Sequence, residues 1–313
     1  MIRIFDCSNS VLRPANRGYK GPVENTIVRD LKKYAHLYDS VFVDKIQDAD
    51  VALTNDVFTK EVLTRDIPRV KRMDGVFFQS ALRERNSTLN RAAQQADLVI
   101  FISQFSKDAY FNMYGKQEPL TKDVRTILNW VDDSIFTPKK ESGAHPLTKF
   151  VAVATSWARE EKRFNDILRL AIAHPDKEFV VIGEGCPTVI PDSITPIGYL
   201  EDEHELASVL QRCDAMVCTA FRDAAPKTVA QGAACGLPVF YANSGGVPEL
   251  VDVGYGYSDY NEHRFYEVVP PSSRAMEDGF AEFLTRLHTP ITSSRKYQTV
   301  ISSYFSAINS VLT

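Results

Sequence analysis

The fold is decided by Phe150-Val151-Ala152-Val153-Ala154, the stretch Arg163 to Ala173, and Phe179-Val180-Val181-Ile182-Gly183, which follow one another in the chain. The first and third stretches are short and apolar, as buried strands are. The middle stretch is longer and repeats its apolar residues at three- and four-residue steps, which predicts an amphipathic helix. Together they predict a β-α-β unit with parallel strands.

The same alternation extends through the rest of the chain. We predict further helices over Glu203 to Arg212 and over Val229 to Cys235. The remaining predicted strands are Ile2–Asp6, Val41–Val43, Val51–Thr54, Arg69–Met73, Leu98–Ser103, Ala215–Cys218 and Pro238–Tyr241. Strands that alternate with helices throughout predict an α/β protein built on parallel sheets.

The length of the chain indicates two domains, since 313 residues are about twice the usual size of one. The segment Pro138 to Pro146 is polar and bracketed by prolines, which makes it the best linker in the sequence. We therefore predict two Rossmann-like domains, residues 1–140 and 147–293. Residues 294–313 carry apolar side chains at helical spacing, which predicts a C-terminal helix.

The composition excludes several classes of protein. With 44% hydrophobic and 24% charged residues, the chain is neither disordered nor fibrous. Its five cysteines are an odd number without a Cys-x-x-Cys pair, which favours reduced thiols. The chain begins directly with a predicted strand, and no apolar stretch approaches the roughly 20 residues that span a bilayer. We expect a cytoplasmic protein without an integral membrane segment.

An aspartate stands between the end of a predicted helix and the next strand at three places, Asp50, Asp97 and Asp214. This recurrence indicates an architectural joint. It argues against a metal-binding Asp-x-Asp motif at Asp48-Ala49-Asp50. The six histidines are scattered without ligand spacing, so we expect no metal site.

Four loops after predicted strands carry residues suited to an anionic ligand. Such ligands bind beyond the carboxyl ends of parallel strands, where helix N-termini and glycine loops offer backbone N–H groups. One loop carries the cations Arg159, Lys162 and Arg163, which suit a diphosphate and equally suit a solvated first helical turn. Asp223, before a predicted helix, could cap that helix or bind sugar hydroxyls. The paired glycines at Gly245 permit a close backbone approach. The weakest of these signals is Gly183-Glu184-Gly185, a Gly-x-Gly that a plain turn would equally contain.

Two stretches of the C-terminal half form a more specific pattern. Asp223 to Pro238 reads DAAPKTVAQGAACGLP, and Asn243 to Val251 reads NSGGVPELV. These stretches resemble the donor-binding signature of family-4 retaining glycosyltransferases. Residues 102–107 (ISQFSK) and 127–138 (ILNWVDDSIFTP) resemble that family's passage out of its first domain. The resemblance implies the GT-B fold, in which two Rossmann-like domains face each other across a cleft. It also implies that the C-terminal helix, residues 294–313, crosses back to pack on the first domain.

The resemblance also implies a donor site in the second, nucleotide-sugar-binding domain. Its residues would be Trp157, Arg159, Lys162, Arg163, Gly183, Tyr199, Leu200, Asp223, Ala225, Pro226, Lys227, Thr228 and Gln231. Lys162 would hold the donor diphosphate, and Asp223 would accept hydrogen bonds from the donor sugar. The family's usual arginine falls on Trp157 here. The family's second acidic residue falls on Gln231, which can bond a ribose hydroxyl only without charge.

In the first, acceptor-side domain the resemblance singles out a strand end. Asp74 would face the reacting carbon of the sugar, and Arg72 would lie on the acceptor side. The alternative is that Asp74 only closes a turn with Gly75.

The loop after the first predicted strand, Arg17 to Asn25, reads RGYKGPVEN. It resembles the family's glycine-rich loop, which closes over the donor phosphates and the acceptor. Gly18 and Gly21 would approach the donor, and Tyr19 and Lys20 the acceptor.

The resemblance implies a hexosyl- or pentosyltransferase that moves a sugar from a UDP or GDP donor to an acceptor hydroxyl with retention. Asp74, Lys162 and Asp223 would be its catalytic residues. It would need neither a metal ion nor a cofactor, since the nucleotide-sugar is a substrate. The alternatives are a nucleotide-sugar-binding protein with weak or no transferase activity, and a phosphorylase- or epimerase-like enzyme of the same fold.

The charge distribution favours an anionic acceptor. The whole chain has a net charge of −4, but residues 1–145 carry 22 Lys/Arg and 19 Asp/Glu, a net +3. The remainder is therefore at −7. A positive acceptor domain suits a phospholipid headgroup, an anionic glycan or a nucleic acid.

Overall fold

Parallel strands dominate both halves of the protein. The computed structural model describes residues 1–8, 26–115, 120, 123–138, 146–259, 265, 272–285 and 297–312. The strands within these residues are β1 (Ile2–Asp6), β2 (Ser40–Val43), β3 (Val51–Thr54), β4 (Arg69–Met73), β5 (Leu98–Phe101), β6 (Asp123–Thr126), β7 (Lys149–Ser156), β8 (Glu178–Glu184), β9 (Ile194–Gly198), β10 (Ala215–Cys218), β11 (Val239–Asn243) and β12 (Gly254–Asp259).

Helices connect the strands. The α-helices within the same residues are α1 (Thr26–Tyr34), α2 (Lys60–Leu63), α3 (Arg83–Gln94), α4 (Gln104–Tyr114), α5 (Phe164–Ala173), α6 (Glu203–Gln211), α7 (Lys227–Ala234), α8 (Ser273–Thr285) and α9 (Tyr297–Asn309). Short 3-10 helices occur at Ala35–Tyr38, Ile46–Asp48, Ser80–Leu82 and Glu160–Lys162.

The chain divides into two units, each with its own sheet. The first unit comprises Met1–Leu128, Phe265–Glu267 and Gln298–Thr313. Its sheet has the order β2-β1-β3-β4-β5-β6, and every pairing is parallel. Its core is built on the buried central strands and includes Val99, Phe101 and Tyr110. The carboxyl ends of β1, β3 and β4 therefore lie side by side.

The second unit comprises Asn129–Arg264 and Val268–Tyr297. Its sheet has the order β12-β11-β10-β7-β8-β9, again with parallel pairings only. The ring of Phe280 lies 5.1 Å from that of Phe150 and 5.0 Å from that of Phe240, and all three side chains are fully buried. Burying such a ring stabilises the fold by about 1.5–3 kcal/mol. The predicted α/β fold class is confirmed.

The three recurring aspartates form one kind of joint. Asp50, Asp97 and Asp214 each accept a hydrogen bond from the backbone N–H of the first or second residue of a neighbouring strand, at 2.8–2.9 Å. In return, the N–H of each aspartate donates to a carbonyl of that same strand, at 2.7–2.8 Å. Asp50 also pairs with the Arg3 guanidinium, which lowers the pKa of its carboxyl. These carboxylates serve strand alignment.

Three strands were not predicted, and all three are edge strands. β6 and β9 each lie at one end of their sheet, as does β12. Their sequences are DVRT, ITPIG and GYGYSD, which lack a continuous apolar run. An edge strand is buried less than a central one, so its side chains need not be apolar.

The division between the units falls earlier than the predicted linker. Asn129 donates a hydrogen bond to Ala225, and Gln211 donates to the carbonyl of Thr137, so residues 129–137 pack as part of the second unit. Residues 139–145 of the predicted linker lie outside the described residues.

The C-terminal helix α9 packs on the first unit, as the predicted fold class requires. Its Phe305 ring stacks on Tyr38 at 4.8 Å, and its Ser310 neighbour accepts a hydrogen bond from Arg125 at 2.7 Å. Tyr304 and Phe305 are at most 1% exposed. Helix α9 thus completes the first unit.

All five cysteines are free, and burial raises the pKa of each thiol. Four of them are buried, and Cys186 is partly exposed. No helix in the described part of the chain is long and apolar enough to cross a membrane.

Candidate functional site

The loop after β7 carries the predicted diphosphate-binding cations. A 3-10 helix over Glu160–Lys162 follows β7, and Arg163 then adopts a left-handed backbone (φ 55°) before α5 begins. The Lys162 carbonyl accepts a hydrogen bond from the Thr219 hydroxyl at 2.9 Å, and the Glu161 carbonyl accepts one from the N–H of Phe221 at 2.8 Å. These bonds fasten the β7 loop to the loop after β10.

The ammonium of Lys162 pairs with the carboxylate of Asp223, 61 residues later in the chain. The two side chains are only 11% and 19% exposed. Burial by itself would raise the pKa of Asp223, but Lys162, with a smaller contribution from Arg159, outweighs it and lowers that pKa. Asp223 is therefore an ionised carboxylate at neutral pH, and it lies beside the Lys162 ammonium in a site largely shielded from solvent.

A third loop, after β11, approaches the backbone of Asp223. The N–H of Gly246 donates to the Asp223 carbonyl at 2.9 Å, and the Ser244 hydroxyl accepts from the N–H of Arg222 at 2.9 Å. A side chain at Gly245 (φ +68°) would place its Cβ 2.2 Å from the Asp223 carbonyl oxygen. Only glycine fits there. The loops after β7, β10 and β11 therefore meet at Asp223.

The end of β8 also requires a glycine. Gly183 has φ +134°, and a Cβ there would lie 1.9 Å from the carbonyl oxygen of Ala154. The neighbouring Trp157 is only 7% exposed, and its indole N–H donates to the Ile182 carbonyl at 3.1 Å. Its ring packs edge-on against Phe164. The Trp157 side chain supports the β7 loop from the core and presents no cation in place of the expected arginine.

The other two predicted cations also have carboxylate partners. Arg159 pairs with Glu161, and Arg163 pairs with Asp166 at 2.6 Å. With Lys162 on Asp223, each of the three cations neighbours one carboxylate. The loop presents a balanced cluster, so a diphosphate would compete for its cations with protein carboxylates.

Helix α7 begins at Lys227, four residues after Asp223. Its N-cap is Pro226, which offers no side-chain cap to the first-turn N–H groups. Lys227 pairs with Glu203 at 3.0 Å, while Gln231, one turn later, is 4% exposed. The carbonyl of Ala225 accepts a hydrogen bond at 2.7 Å from the side chain of Asn129, which is itself buried.

The remaining predicted donor residues also belong to the second unit. Thr228 is in the first turn of α7 and is half-buried. Tyr199 and Leu200 follow β9 and are also half-buried. Gly198, which precedes them, has φ +86° and open space at its Cβ position.

In the first unit, Asp74 lies immediately after β4, with its side chain 54% exposed. Its carboxylate pairs with the guanidinium of Arg72, which is 3% exposed. The Arg72 Nε–H also donates to the hydroxyl of Tyr304 on α9 at 3.2 Å. Arg72, predicted to lie on the acceptor side, is thus enclosed within the first unit, and its guanidinium lies beside Asp74.

The turn after Asp74 is held by a buried asparagine. Gly75 has φ +127°, which glycine adopts readily. The Asn86 side chain accepts from the N–H of Phe77 at 2.8 Å and donates to its carbonyl at 2.7 Å, as a paired strand would. The Asp74 turn is therefore anchored on both sides.

Gly18, Tyr19, Lys20 and Gly21 lie outside the described residues. Within the residues described, no group of three His, Cys, Asp or Glu side chains is placed to hold a metal ion.

Comparison with known proteins adds to this geometry. Residues 136–286 match the family described as Glycosyl transferases group 1. The match includes the main segment of the second unit except for its first seven residues. The matched segment is thus similar to a glycosyltransferase domain. It contains the loops after β7, β10 and β11, the Lys162–Asp223 pair and helix α7.

One curated relative is the N-acetyl-alpha-D-glucosaminyl L-malate synthase of Bacillus anthracis, 22% identical over 189 residues. The match covers 54% of this chain and 48% of the relative. The chain thus matches about half the length of that protein.

Solved structures share the fold of the whole chain. An Anabaena protein, HepE, solved with UDP, has a TM-score of 0.61 and 14% identity, covering 99% of this chain and 100% of its own. The pneumococcal O-GlcNAc transferase GtfA, solved with UDP and GlcNAc, has a TM-score of 0.60 and 12% identity, covering 84% of this chain and 57% of its own. Both structures have the GT-B fold, which is therefore the fold of this protein.

Sequence reasoning missed two residues that hold the sites in place. Asn129 is 96 residues from Ala225, and Tyr304 is 232 residues from Arg72. Asn129 belongs to the stretch that resembles the family's passage out of the first domain, which was a usable signal. Tyr304 appears in the sequence only as an apolar position of a helix, and nothing local indicates its polar contact.

Proposed function

We propose that the protein transfers a sugar from a nucleoside-diphosphate donor to an acceptor hydroxyl, with retention at the anomeric carbon and without a metal ion. The observation that carries this proposal is the Lys162–Asp223 pair, at the meeting point of three loops of the glycosyltransferase domain. One member of the pair suits a phosphate and the other a sugar hydroxyl.

A bound donor would separate this pair: its diphosphate would bind Lys162 in place of Asp223, and its sugar would bind Asp223 in place of Lys162. The Lys162 ammonium would neutralise the diphosphate, whose charge grows as the bond to the sugar breaks. First-turn N–H groups of α7 would add to this stabilisation, since Pro226 provides no side-chain cap for them. Asp223, an ionised carboxylate, would accept hydrogen bonds from the sugar hydroxyls. UDP is the first nucleotide to test as part of the donor, because two similar structures were solved with it.

Retention follows from where the acceptor proton goes. In the mechanism we propose, the bond from the anomeric carbon to the diphosphate oxygen breaks, and the acceptor oxygen bonds that carbon on the face from which the diphosphate leaves. The departing phosphate takes the proton of the acceptor hydroxyl. No side chain has to act as a nucleophile. Asp74 would orient the acceptor or stabilise the positive charge that develops on the sugar ring.

Gln231 sets this chain apart from the family it resembles. It is buried on α7, one turn after Lys227, and can bond a ribose hydroxyl without charge. A neutral amide makes a weaker hydrogen bond than a carboxylate would. We propose that Gln231 lowers donor affinity or alters donor preference.

An anionic acceptor fits the net positive charge of the first 145 residues. The name of the Bacillus anthracis relative specifies L-malate, a dicarboxylate, as what its sugar is joined to. A small carboxylate is therefore the first acceptor to test, followed by phospholipid headgroups, anionic glycans and nucleic acids.

The donor assignment is tested by calorimetric titration with UDP. Lys162→Ala should weaken UDP binding at least about tenfold, since a hydrogen bond from a charged group contributes about 1.5–3 kcal/mol. Lys177→Ala is the matched control, because Lys177 lies before the amino end of β8 and pairs with Asp176. Gln231→Glu should change the affinity in the same titration. Equal affinities for Lys162→Ala and the wild type would exclude the diphosphate assignment.

Activity is tested by incubating the protein with UDP-sugars and malate, and then with the other acceptors. UDP release with an α-configured product from an α-configured donor supports retaining transfer. Tight UDP binding with no release would favour the nucleotide-sugar-binding alternative. Formation of a sugar phosphate from inorganic phosphate, or of an epimeric UDP-sugar, would favour the phosphorylase- or epimerase-like alternative.

A further inference from the structure

The guanidinium of Arg72 stands between two oxygen atoms that come from distant parts of the chain. On one side is the carboxylate of Asp74, two residues later at the end of β4. On the other is the hydroxyl of Tyr304, which accepts from the Arg72 Nε–H at 3.2 Å. The Arg72 and Tyr304 side chains are buried, while Asp74 is half-exposed. The three groups therefore form a chain from the core to the surface.

This arrangement restricts the carboxylate that reaches the surface. An exposed aspartate before a glycine turn would otherwise sample several rotamers. A guanidinium is planar and holds its donors in a fixed fork, so fixing Nε also fixes the terminal nitrogens. Tyr304 occupies Nε, which leaves NH1 aimed at Asp74.

The contact is also electrostatically consistent. Burial would lower the pKa of Arg72, but Asp74 and Tyr304 outweigh it and raise that pKa. The cation is thus retained in the core, and a polar partner on α9 reduces the cost of keeping it there.

We propose that Tyr304 is a positioning residue, which orients Asp74 through Arg72. Helix α9 would thereby belong to the candidate site around Asp74 in the first unit. The proposal rests on the proposed function in one respect, namely that Asp74 takes part in sugar transfer. It assigns to the C-terminal helix a role beyond packing.

Tyr304→Phe tests the proposal, because it removes one oxygen and leaves the ring. Tyr110→Phe is the matched control: Tyr110 is also fully buried in the first unit, and its hydroxyl donates to Asn90 at 2.6 Å. Both variants lose one buried hydroxyl. A purely structural role predicts the same outcome for both.

We expect Tyr304→Phe to lower kcat at least tenfold, with the KM for the donor and the Kd for UDP within twofold of the wild type. Tyr110→Phe should keep kcat within twofold. Asp74→Asn combined with Tyr304→Phe should be no slower than Asp74→Asn alone, because the tyrosine acts through that carboxylate. An unchanged kcat in Tyr304→Phe, or rate losses that multiply in the double variant, would overturn the proposal.

A second measurement does not depend on activity. Phenylglyoxal modifies arginine side chains, and peptide mass spectrometry reports the rate at Arg72. We expect modification at least fivefold faster in Tyr304→Phe than in the wild type or Tyr110→Phe. If the wild type transfers no sugar to any acceptor, the proposed function fails while this rate still decides whether Tyr304 holds Arg72. An unchanged rate would overturn the positioning role.

Discussion

Lys71 is a fully buried lysine in the middle of a strand. It precedes Arg72 on β4, and its ammonium donates to the Arg72 carbonyl at 2.7 Å. Burial lowers the pKa of Lys71 to about 8, and Asp74 and Asp56 offset only part of this effect. A charge in such surroundings costs stability, which natural proteins accept mainly near functional sites.

Lys71→Met should reveal this cost through its dependence on pH. Between pH 8 and 10.5 the unfolded chain binds more protons at this residue, so wild-type stability rises with pH there. The free energy of unfolding of Lys71→Met minus that of the wild type should therefore be largest near pH 7. It should shrink by up to about 3 kcal/mol towards pH 10.5.

Urea unfolding of both proteins at pH 7, 9 and 10.5 measures this difference. Lys60→Met, at an exposed position of α2, is the control and should show a difference that does not change with pH. If the difference in the free energy of unfolding between Lys71→Met and the wild type stays constant over this pH range, the pKa of Lys71 is not lowered by burial.

Local chemistry decided which site residues the sequence could predict. Lys162 and Asp223 follow apolar strands and precede helices, so their place at the carboxyl edge of a parallel sheet can be inferred. Their direct pairing, and the partners Glu161 and Asp166 of the neighbouring arginines, cannot. Those contacts depend on how separate loops are positioned in space, which the spacing of apolar residues in the sequence does not reveal.

At the scale of elements, the aspartate joint appears in both units. Asp97 fastens β4, and Asp214 fastens the chain at the start of β7. The Asp214 carboxylate accepts from the N–H of Thr148, the hydroxyl of Thr148 and the N–H of Lys149 at 2.9–3.0 Å. One carboxylate thus sets the register at which a strand enters the sheet.

Asp214→Ala should lower the free energy of unfolding by about 2 kcal/mol, because it leaves these donors without their charged acceptor. Asp214→Asn keeps an acceptor oxygen and should lose less. Asp176→Ala is the control, since Asp176 is 69% exposed and should change stability by no more than about 0.5 kcal/mol. Chemical denaturation measures all three, and a loss in Asp214→Ala no greater than in the control would refute the joint.

Burial explains which elements the sequence revealed. β4 and β10 have observed bounds that match the prediction, because both are central and built of residues that are mostly buried. β6 and β9 were missed, since most of their side chains are only partly buried or exposed. Helix α5 was predicted to within one residue because its apolar face packs on the sheet of the second unit.

At the scale of the whole molecule, the first unit depends on residues from both ends of the described chain. Helix α9 buries Ile301, Tyr304, Phe305 and Ile308 to 1% exposure or less. Each such side chain contributes about 1.5–3 kcal/mol, so their sum approaches the 5–15 kcal/mol by which a whole domain is usually stable.

A chain that stops at residue 296 should therefore lose the structure of its first unit. We expect backbone amides of β1 and β3–β5 to exchange with deuterium at rates close to those of an unfolded chain. Amides of β7, β8 and β10, in the second unit, should stay protected. A chain that stops at residue 309 keeps α9 and is the control, and protection of β1 in the shorter chain would contradict the prediction.

The place of α9 has a consequence for synthesis on the ribosome. Residues 1–128 emerge before the second unit, but their unit is closed by residues that follow the entire second unit. At about 5–20 residues per second, this delay is on the order of 10–30 s. During that time the second unit can fold while Arg72 and the Tyr38 ring still lack their α9 partners. Residues 1–128, although translated before the second unit, thus mature only after it has emerged.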